Sequence, residues 1–307
     1  MTIPNLPSFV DIHKDVLNAL NSGTPIVALE STIITHGMPF PDNVEMASSV
    51  ETLICKNGVV PATIAVIDGR IKIGLTSDEL TQLAKVKNAL KISRADMAFA
   101  ISQGKTAGTT VAATMIIARM AGIRIFATGG IGGVHRGAET NFDISADLTE
   151  LGKTDVLVVA AGAKAILDVP KTLEVLETQG VPVVGYQTDS LPAFWTRESN
   201  LDVPLRMDST SQISDFMKVR DELNLNSGIL IANPIPEIDE IPAKTINNYI
   251  EKAQAEMENN NISGKQVTPF LLKRIFELSN GSSLISNIAL VKNNAYVAAK
   301  IAKNFYK

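Results

Sequence analysis

Six apolar runs of strand length recur along the chain, and they constrain its fold more than any other feature. Each run is nearly continuous, without the alternation of apolar and polar residues that marks a sheet with one solvent-facing side. The runs cover residues 26–29, 64–67, 123–127, 156–161, 181–186 and 229–232. Burial on both sides within a mostly parallel sheet accounts for such runs. The sequence therefore predicts a three-layer α/β/α fold.

Helical patterns separate these runs, and one turn signal interrupts them. Apolar residues recur at helical spacing between Val44 and Ile54, for example, and Asp68-Gly69 stands between two short apolar segments. A dipeptide of this type is typical of a tight hairpin, so the parallel sheet is expected to include one antiparallel excursion. We therefore expect a mixed sheet.

The C-terminal third of the chain is predicted to be mainly helical after Ile231. Within it, Thr268-Pro269 has the residue types of a helix cap followed by a first helical position. We interpret residues 1–307 as one domain with a helical C-terminal extension.

Charge and composition exclude several classes of function. The chain has 28 basic and 32 acidic residues, so its net charge of −4 provides no basic field for a nucleic acid. No stretch approaches the roughly 20 apolar residues that span a bilayer, and residues 1–10 lack the pattern of a secretory signal. A single cysteine, Cys55, cannot form an intramolecular disulfide. We expect a cytoplasmic protein without a nucleic-acid or membrane partner.

Open α/β sheets bind ligands where their strands end, so residues that follow the apolar runs are candidates for chemistry. Glu30 follows the first run, where it is either a general acid or base with a raised pKa or a cap of a neighbouring helix. Lys164 follows the most apolar run, and desolvation there favours a neutral amine able to attack a carbonyl carbon. A solvated surface lysine is the alternative.

A glycine-rich segment at residues 128–137 contains five glycines, whose backbone amides can approach an anion closely. It is not a dinucleotide fingerprint, because His135 stands where the last glycine of that pattern is required. A loop for a sugar phosphate is the favoured interpretation. His135 is then either a site residue or a satisfied structural histidine.

Two further segments suggest sites for ions. Asp143 and Asp147 flank Ser145, and such a set can hold a hard divalent cation through oxygen ligands and water. Helix-start carboxylates that interact with the helix dipole are the alternative. Lys91 precedes a glycine- and hydroxyl-rich stretch at the start of a predicted helix, an arrangement that suits a phosphate. A Walker motif is excluded, because Phe99 stands where that motif requires glycine.

Taken together, these segments resemble the pseudouridine-5′-phosphate glycosidase family. The resemblance extends in order from about residue 8 to about residue 303. Its motifs are Ala-Leu-Glu-Ser-Thr-Ile-Ile at 28–34, His-Gly-Met-Pro at 36–39, the glycine-rich segment continued to 139, Phe-Asp-Ile-Ser-Ala-Asp at 142–147, Ala-Gly-Ala-Lys at 161–164, Thr-Pro-Phe-Leu-Leu at 268–272, Ser-Asn-Ile-Ala at 286–289 and Asn-Asn-Ala at 293–295.

This resemblance implies an enzyme of pseudouridine catabolism. The family reversibly cleaves the carbon–carbon glycosidic bond of pseudouridine 5′-phosphate, giving uracil and ribose 5-phosphate. The resemblance implies that Lys164 forms an imine with the ring-opened sugar and that Glu30 is the acid/base. It places a divalent metal, Mn²⁺ above others, at Asp143, although the sequence leaves open whether Asp143 or Asp147 binds the ion directly. It also implies a homotrimer. The substrate-binding residues it implies are Lys91, Val111, His135, Ser145, Ala146, Asp147 and Asn287.

One residue departs from the family pattern. The family commonly has Ser-Arg-Arg-Asp after the position of Lys91, whereas this chain has alanine at Ala95 in place of the second arginine. If that arginine assists phosphate binding, the 5′-phosphate is held less tightly here.

Two other functions remain open at this stage: a lysine-imine aldolase or related sugar-phosphate glycosidase, and a sugar-phosphate sensor without activity. Intact Glu30, Asp143 and Lys164 argue against the sensor, since a binding module has no need of a carbonyl-reactive amine.

Overall fold

A computed structural model describes residues 6–260, 262 and 264–307. The first half of the N-terminal segment considered above, residues 1–5, lies outside the described residues. The strands, in chain order, are β1 Val10–Ile12, β2 Ile26–Leu29, β3 Val60–Ile67, β4 Arg70–Ile73, β5 Leu90–Ile92, β6 Ala107–Thr109, β7 Ile125–Ala127, β8 Leu157–Ala160, β9 Val183–Tyr186, β10 Leu205–Met207 and β11 Ile229–Ala232. The helices are α1 Lys14–Ser22, α2 Asp42–Lys56, α3 Ser77–Lys85, α4 Arg94–Ser102, α5 Val111–Met120, α6 Ala138–Asn141, α7 Ala146–Leu151, α8 Val169–Thr178, α9 Thr210–Glu222, α10 Ala243–Asn259, α11 Val267–Leu278 and α12 Ser282–Phe305.

The predicted mostly parallel mixed sheet is confirmed. Its strands lie in the order β1-β4-β3-β2-β7-β8-β11-β9-β10, and β5 and β6 branch from β3. Strand β3 is longer than its apolar run because its two halves pair with different strands. Residues 60–63 pair with β2, and residues 64–67 pair with β4. The pairings of β3 with β4 and with β6 are the antiparallel ones among the described strands. The central strands β2, β7, β8 and β11 are buried throughout, as their composition requires.

The hairpin predicted at Asp68-Gly69 is also confirmed. Both residues have positive φ, 49° and 75°, which is the backbone conformation of the two-residue turn that matches the twist of paired strands. This turn joins β3 to β4 and produces the antiparallel excursion.

The helical C-terminal third packs onto the sheet. Helix α12 runs for 24 residues and buries one face against α9, α2 and β7. Within the described residues, none of the helices combines the length and apolar character that crossing a bilayer requires.

The helix start predicted at Thr268-Pro269 is wrong. A 3₁₀ turn at Gly264–Gln266 precedes α11, and Gln266 already has helical backbone angles, so the helix begins at Val267. Thr268 and Pro269 therefore lie inside the first turn, where both line the cavity described next.

Candidate active site

A cavity of about 360 Å³ lies at the carboxyl ends of the central strands. Strands β2, β7 and β8 are parallel neighbours, so the residues that follow them reach the same edge of the sheet. All ten residues proposed from the sequence line this cavity: Glu30, Lys91, Val111, His135, Asp143, Ser145, Ala146, Asp147, Lys164 and Asn287. The structure thus brings them together, while their individual roles stay predictions.

Glu30 and Lys164 each form a hydrogen bond with a residue of the glycine-rich segment. The Thr128 hydroxyl donates a hydrogen bond to Glu30 Oε1, and Lys164 Nζ donates to the carbonyl oxygen of Gly130 at 3.0 Å. Burial raises the pKa of the Glu30 carboxyl, and the positive charge of Lys164 opposes that rise only in part. A carboxyl with a raised pKa beside an amine is an arrangement suited to proton transfer and nucleophilic attack.

Backbone pairing beyond the strands fixes the position of Lys164. The amide of Ile131 donates to the carbonyl oxygen of Gly162 at 3.1 Å, and the amide of Lys164 donates to the carbonyl oxygen of Ile131 at 3.1 Å. Glycine is required at Gly130, because a Cβ there would lie 2.7 Å from the ring of Phe194. The glycine-rich segment is therefore a closely packed wall of the cavity.

Asp147 connects two walls of the cavity. Its carboxylate is buried, and it accepts hydrogen bonds from the amides of Ala112 at 2.9 Å and Gly132 at 2.8 Å. Ser145 caps α7, with its side chain accepting from the amide of Asp147. Both oxygens of Asp147 are thus engaged by backbone amides, so Asp143 is the better candidate carboxylate for an ion.

The metal-ligating potential of the site is limited to few side chains. The described residues contain no group of three His, Cys, Asp or Glu side chains placed to enclose a metal ion. A single carboxylate at Asp143 fits a divalent cation that keeps most of its water ligands, as Mg²⁺ commonly does in protein sites.

One end of the cavity suits a phosphate. Lys91 in β5 and Ser93 line it beside the first turn of α4, and Thr110 and Val111 line it at the start of α5. The N-terminus of a helix carries a partial positive charge, so two such termini with a lysine favour an anion, while the Ala112 amide of α5 is already bonded to Asp147. Ala95 is exposed on α4 and does not line the cavity. The side chain of an arginine at this position would therefore extend from a backbone position outside the phosphate end.

Another part of the cavity wall suits a planar polar ring. It contains apolar side chains from α11 and α12 together with Phe194, and Asn287 interrupts this surface. Asn287 Oδ1 is buried and has no hydrogen-bond partner among the described residues. A buried acceptor without a partner is costly, so this atom is prepared to accept an N–H of a ligand.

His36 and Phe194 are among the lining residues that reasoning from the sequence did not propose. His36 lies in a π-helical turn, Ile33–Gly37, and burial followed by the charge of Lys91 lowers the pKa of its imidazole. Its position in the His-Gly-Met-Pro motif was the available signal. Phe194 has positive φ and lies in an irregular loop, where no periodic pattern indicates its role.

Comparison with known proteins places this site in a family. The model of the family described as indigoidine synthase A like protein matches residues 15–304. A pseudouridine-5′-phosphate glycosidase of Dinoroseobacter shibae is 74% identical over 298 residues, which cover 97% of this chain and 98% of the relative. One from Staphylococcus aureus is 54% identical and covers 97% of each chain.

Two solved structures have the same fold. The prealnumycin C-glycosynthase AlnA, crystallised in complex with ribulose 5-phosphate, superposes with a TM-score of 0.90 at 36% identity and covers 98% of both chains. An indigoidine synthase A-like protein from Thermotoga maritima has a TM-score of 0.90 at 32% identity and covers both chains completely. The predicted fold class and family resemblance are both confirmed.

Proposed function

The chain belongs to the indigoidine synthase A-like family, and we propose that it is a glycosidase that reversibly cleaves pseudouridine 5′-phosphate into uracil and ribose 5-phosphate. The presence of Lys164 and Glu30 in one cavity, together with Lys91, two helix N-termini and an apolar wall, carries this proposal. The names of its full-length relatives support the same activity. We assign the activity to pseudouridine catabolism.

The bond that is broken explains why a lysine is needed. Ordinary glycoside hydrolysis protonates a leaving oxygen, which is absent when the base is attached through carbon. An amine bound to the sugar carbon supplies a lone pair that forms an imine there as the carbon–carbon bond breaks, so the electron pair of that bond can move to the uracil carbon. Two carboxylates alone would be insufficient for this reaction.

The proposed reaction balances with the groups in the cavity. The neutral Lys164 Nζ forms a bond to C1′ of the ribose as the bond between C1′ and the ring oxygen opens, and the proton that the nitrogen loses passes to the ring oxygen, which becomes the C4′ hydroxyl. The nitrogen lone pair then forms the imine while the bond from C1′ to the uracil carbon breaks and leaves its electron pair on that carbon. Glu30 delivers a proton to the carbon. Water finally hydrolyses the protonated imine, which releases ribose 5-phosphate, regenerates the Lys164 amine and returns one proton to Glu30.

The remaining lining residues bind the substrate in this proposal. Lys91 and Val111 bind the phosphate end, and Ser145, Ala146 and Asp147 lie along the sugar. Asn287 accepts an N–H of the uracil ring. His135 lines the same cavity and is also assigned to substrate binding. A homotrimer and a cytoplasmic location stay predictions.

Turnover of two isomeric substrates tests the proposed function. The purified chain should release uracil from pseudouridine 5′-phosphate, measured by chromatography, and should leave uridine 5′-phosphate intact. Preference for uridine 5′-phosphate would identify a carbon–nitrogen glycosidase. Binding of ribose 5-phosphate without turnover of either nucleotide would favour the sugar-phosphate sensor.

Metal dependence is expected through Asp143. A bound divalent cation supplies electrostatic stabilisation of negative substrate oxygen atoms. Exhaustive chelation should remove most activity, and Mn²⁺ or Mg²⁺ should restore it. Asp143→Asn should weaken Mn²⁺ binding in calorimetry at least about tenfold, because a neutral amide oxygen replaces the charged ligand. Asp78→Asn, which changes an exposed carboxylate on α3, is the matched control. Unchanged activity after chelation would reject a metal role.

Loss of the Lys91 charge should act on phosphate binding. Lys91→Met should raise KM for pseudouridine 5′-phosphate about tenfold to a hundredfold, the range expected for a hydrogen bond to a charged group. For pseudouridine, which has no phosphate, wild type and variant should bind equally. Equal effects on both compounds would show that Lys91 acts elsewhere.

A further inference from the structure

Two buried asparagines connect helix α12 to the catalytic edge of the sheet. Asn294 is 0% exposed and Asn233, which follows β11, is 3% exposed. Asn233 Nδ2 donates to Asn294 Oδ1 at 2.9 Å. Asn294 Nδ2 in turn donates to the carbonyl oxygens of Thr128 at 2.8 Å and Gly129 at 3.3 Å. This pair is outside the cavity lining, so it does not reach the substrate directly.

The carbonyls that Asn294 binds belong to the segment that contacts both proposed catalytic side chains. Thr128 donates its hydroxyl to Glu30, and Gly130 accepts Lys164 Nζ through its carbonyl oxygen. Residues 128–130 are therefore one short piece of backbone with a catalytic contact at each end and the Asn294 amide in the middle.

The backbone of this segment continues to pair with the residues that follow β8, because the amide of Ala161 donates to the carbonyl oxygen of Gly129 at 3.0 Å. The amide of Thr128 still donates to the carbonyl oxygen of Val159 across the parallel pair, at 3.0 Å. The carbonyl of Thr128 instead receives the side chain of Asn294. A buried side-chain amide costs free energy unless its polar atoms are hydrogen-bonded. The bonds of Asn294 to Asn233 and to residues 128–129 therefore favour one position of this segment.

We propose that Asn294, held by Asn233, is a positioning residue that fixes Thr128 and Gly130 so that Glu30 and Lys164 are aligned for the chemical step. The inference rests on the proposed function and adds a determinant of its rate that lies outside the cavity. Because small displacements of reacting groups slow catalysis strongly, loss of Asn294 acts on kcat rather than on KM.

The test compares two variants that replace Asn294 by leucine with a matched control variant. Asn294→Leu should lower kcat for pseudouridine 5′-phosphate about tenfold to a hundredfold while KM changes less than about twofold. Asn293→Leu is the control, since the neighbouring Asn293 on the same helix donates to the carbonyl oxygen of Pro234 at 2.9 Å and not to the catalytic segment. Its kcat should stay within about twofold of wild type.

The double variant Asn233→Leu/Asn294→Leu separates positioning from stability. Asn294→Leu alone leaves Asn233 unpaired and should lower the unfolding midpoint, whereas replacing both partners by apolar groups removes that penalty. The double variant should therefore unfold at a higher temperature than Asn294→Leu and yet keep its low kcat. If Asn294→Leu fails to fold, the double variant alone decides the question.

Three results would overturn the positioning role. They are a double variant whose kcat returns to that of wild type, an Asn294→Leu variant whose defect lies in KM, and an Asn293→Leu variant with an equal loss of kcat. Wild-type turnover is measured first in the same assay, so failure of the proposed function is read from the wild type and failure of the positioning role from the variants.

Discussion

Lys164→Arg is expected to abolish turnover of pseudouridine 5′-phosphate, with kcat at least about a thousandfold below wild type. Arginine keeps the positive charge and most of the length, but its guanidinium stays protonated and does not attack a carbonyl carbon. The side chain lies at the cavity wall with its amine 3.0 Å from the Gly130 carbonyl oxygen, so the loss is expected in the chemical step. Release of uracil is the measurement.

The control for this variant is Lys153→Arg, which changes an exposed lysine outside the cavity. Its kcat should equal that of wild type. Binding of ribose 5-phosphate to Lys164→Arg, measured by calorimetry, should persist because the phosphate end of the cavity is unchanged. A Lys164→Arg variant with substantial turnover would show that the lysine is not the nucleophile.

Glu30→Gln is expected to lower kcat about a hundredfold to ten-thousandfold, the range for a lost general acid. Glutamine has the shape of the protonated carboxyl and its carbonyl oxygen can still accept from the Thr128 hydroxyl, but it delivers no proton to the uracil carbon. Substrate KM should change much less than kcat. A larger effect on KM would indicate a binding role for Glu30.

The pH dependence of kcat follows from the same carboxyl. Burial raises the pKa of Glu30, so its protonated form persists to a higher pH than that of an exposed glutamate. As the proton donor it is active below this raised pKa, and kcat should fall as the pH rises through it. Glu30→Gln should lack that decline. A kcat that rises through this range would show that Glu30 acts as a base in the rate-limiting step.

Much of the fold was predictable because two-sided burial leaves a simple signature in the sequence. The runs at residues 26–29 and 229–232 coincide with β2 and β11, which are buried on both faces. The apolar run at 64–67 covers only the second half of β3. The strand begins with Val60-Pro61, which are half-buried and include a proline, so the apolar pattern does not extend to its start. The start of α11 was missed because a 3₁₀ turn supplied helical backbone before the apparent cap.

The residues of the site were predictable, but the contacts that organise them were not. Strand ends identified Glu30 and Lys164, and the family resemblance supplied Asn287, which no local pattern marks. The bridge from Asp147 to the amides of Ala112 and Gly132 joins segments distant in sequence. The contact from Asn294 to Thr128 spans 166 residues. Such contacts depend on how loops pack after the sheet has formed, and periodicity carries no information on them.

Borohydride trapping tests the central claim, a covalent imine between Lys164 and the sugar, most directly. The wild-type chain is treated with borohydride in the presence of ribose 5-phosphate, digested and mapped by mass spectrometry. We expect one reduced sugar-phosphate adduct, on the peptide that contains Lys164, and no adduct in Lys164→Arg treated in parallel. An adduct on a different lysine, or its absence from a wild-type sample that turns over pseudouridine 5′-phosphate, would contradict this claim.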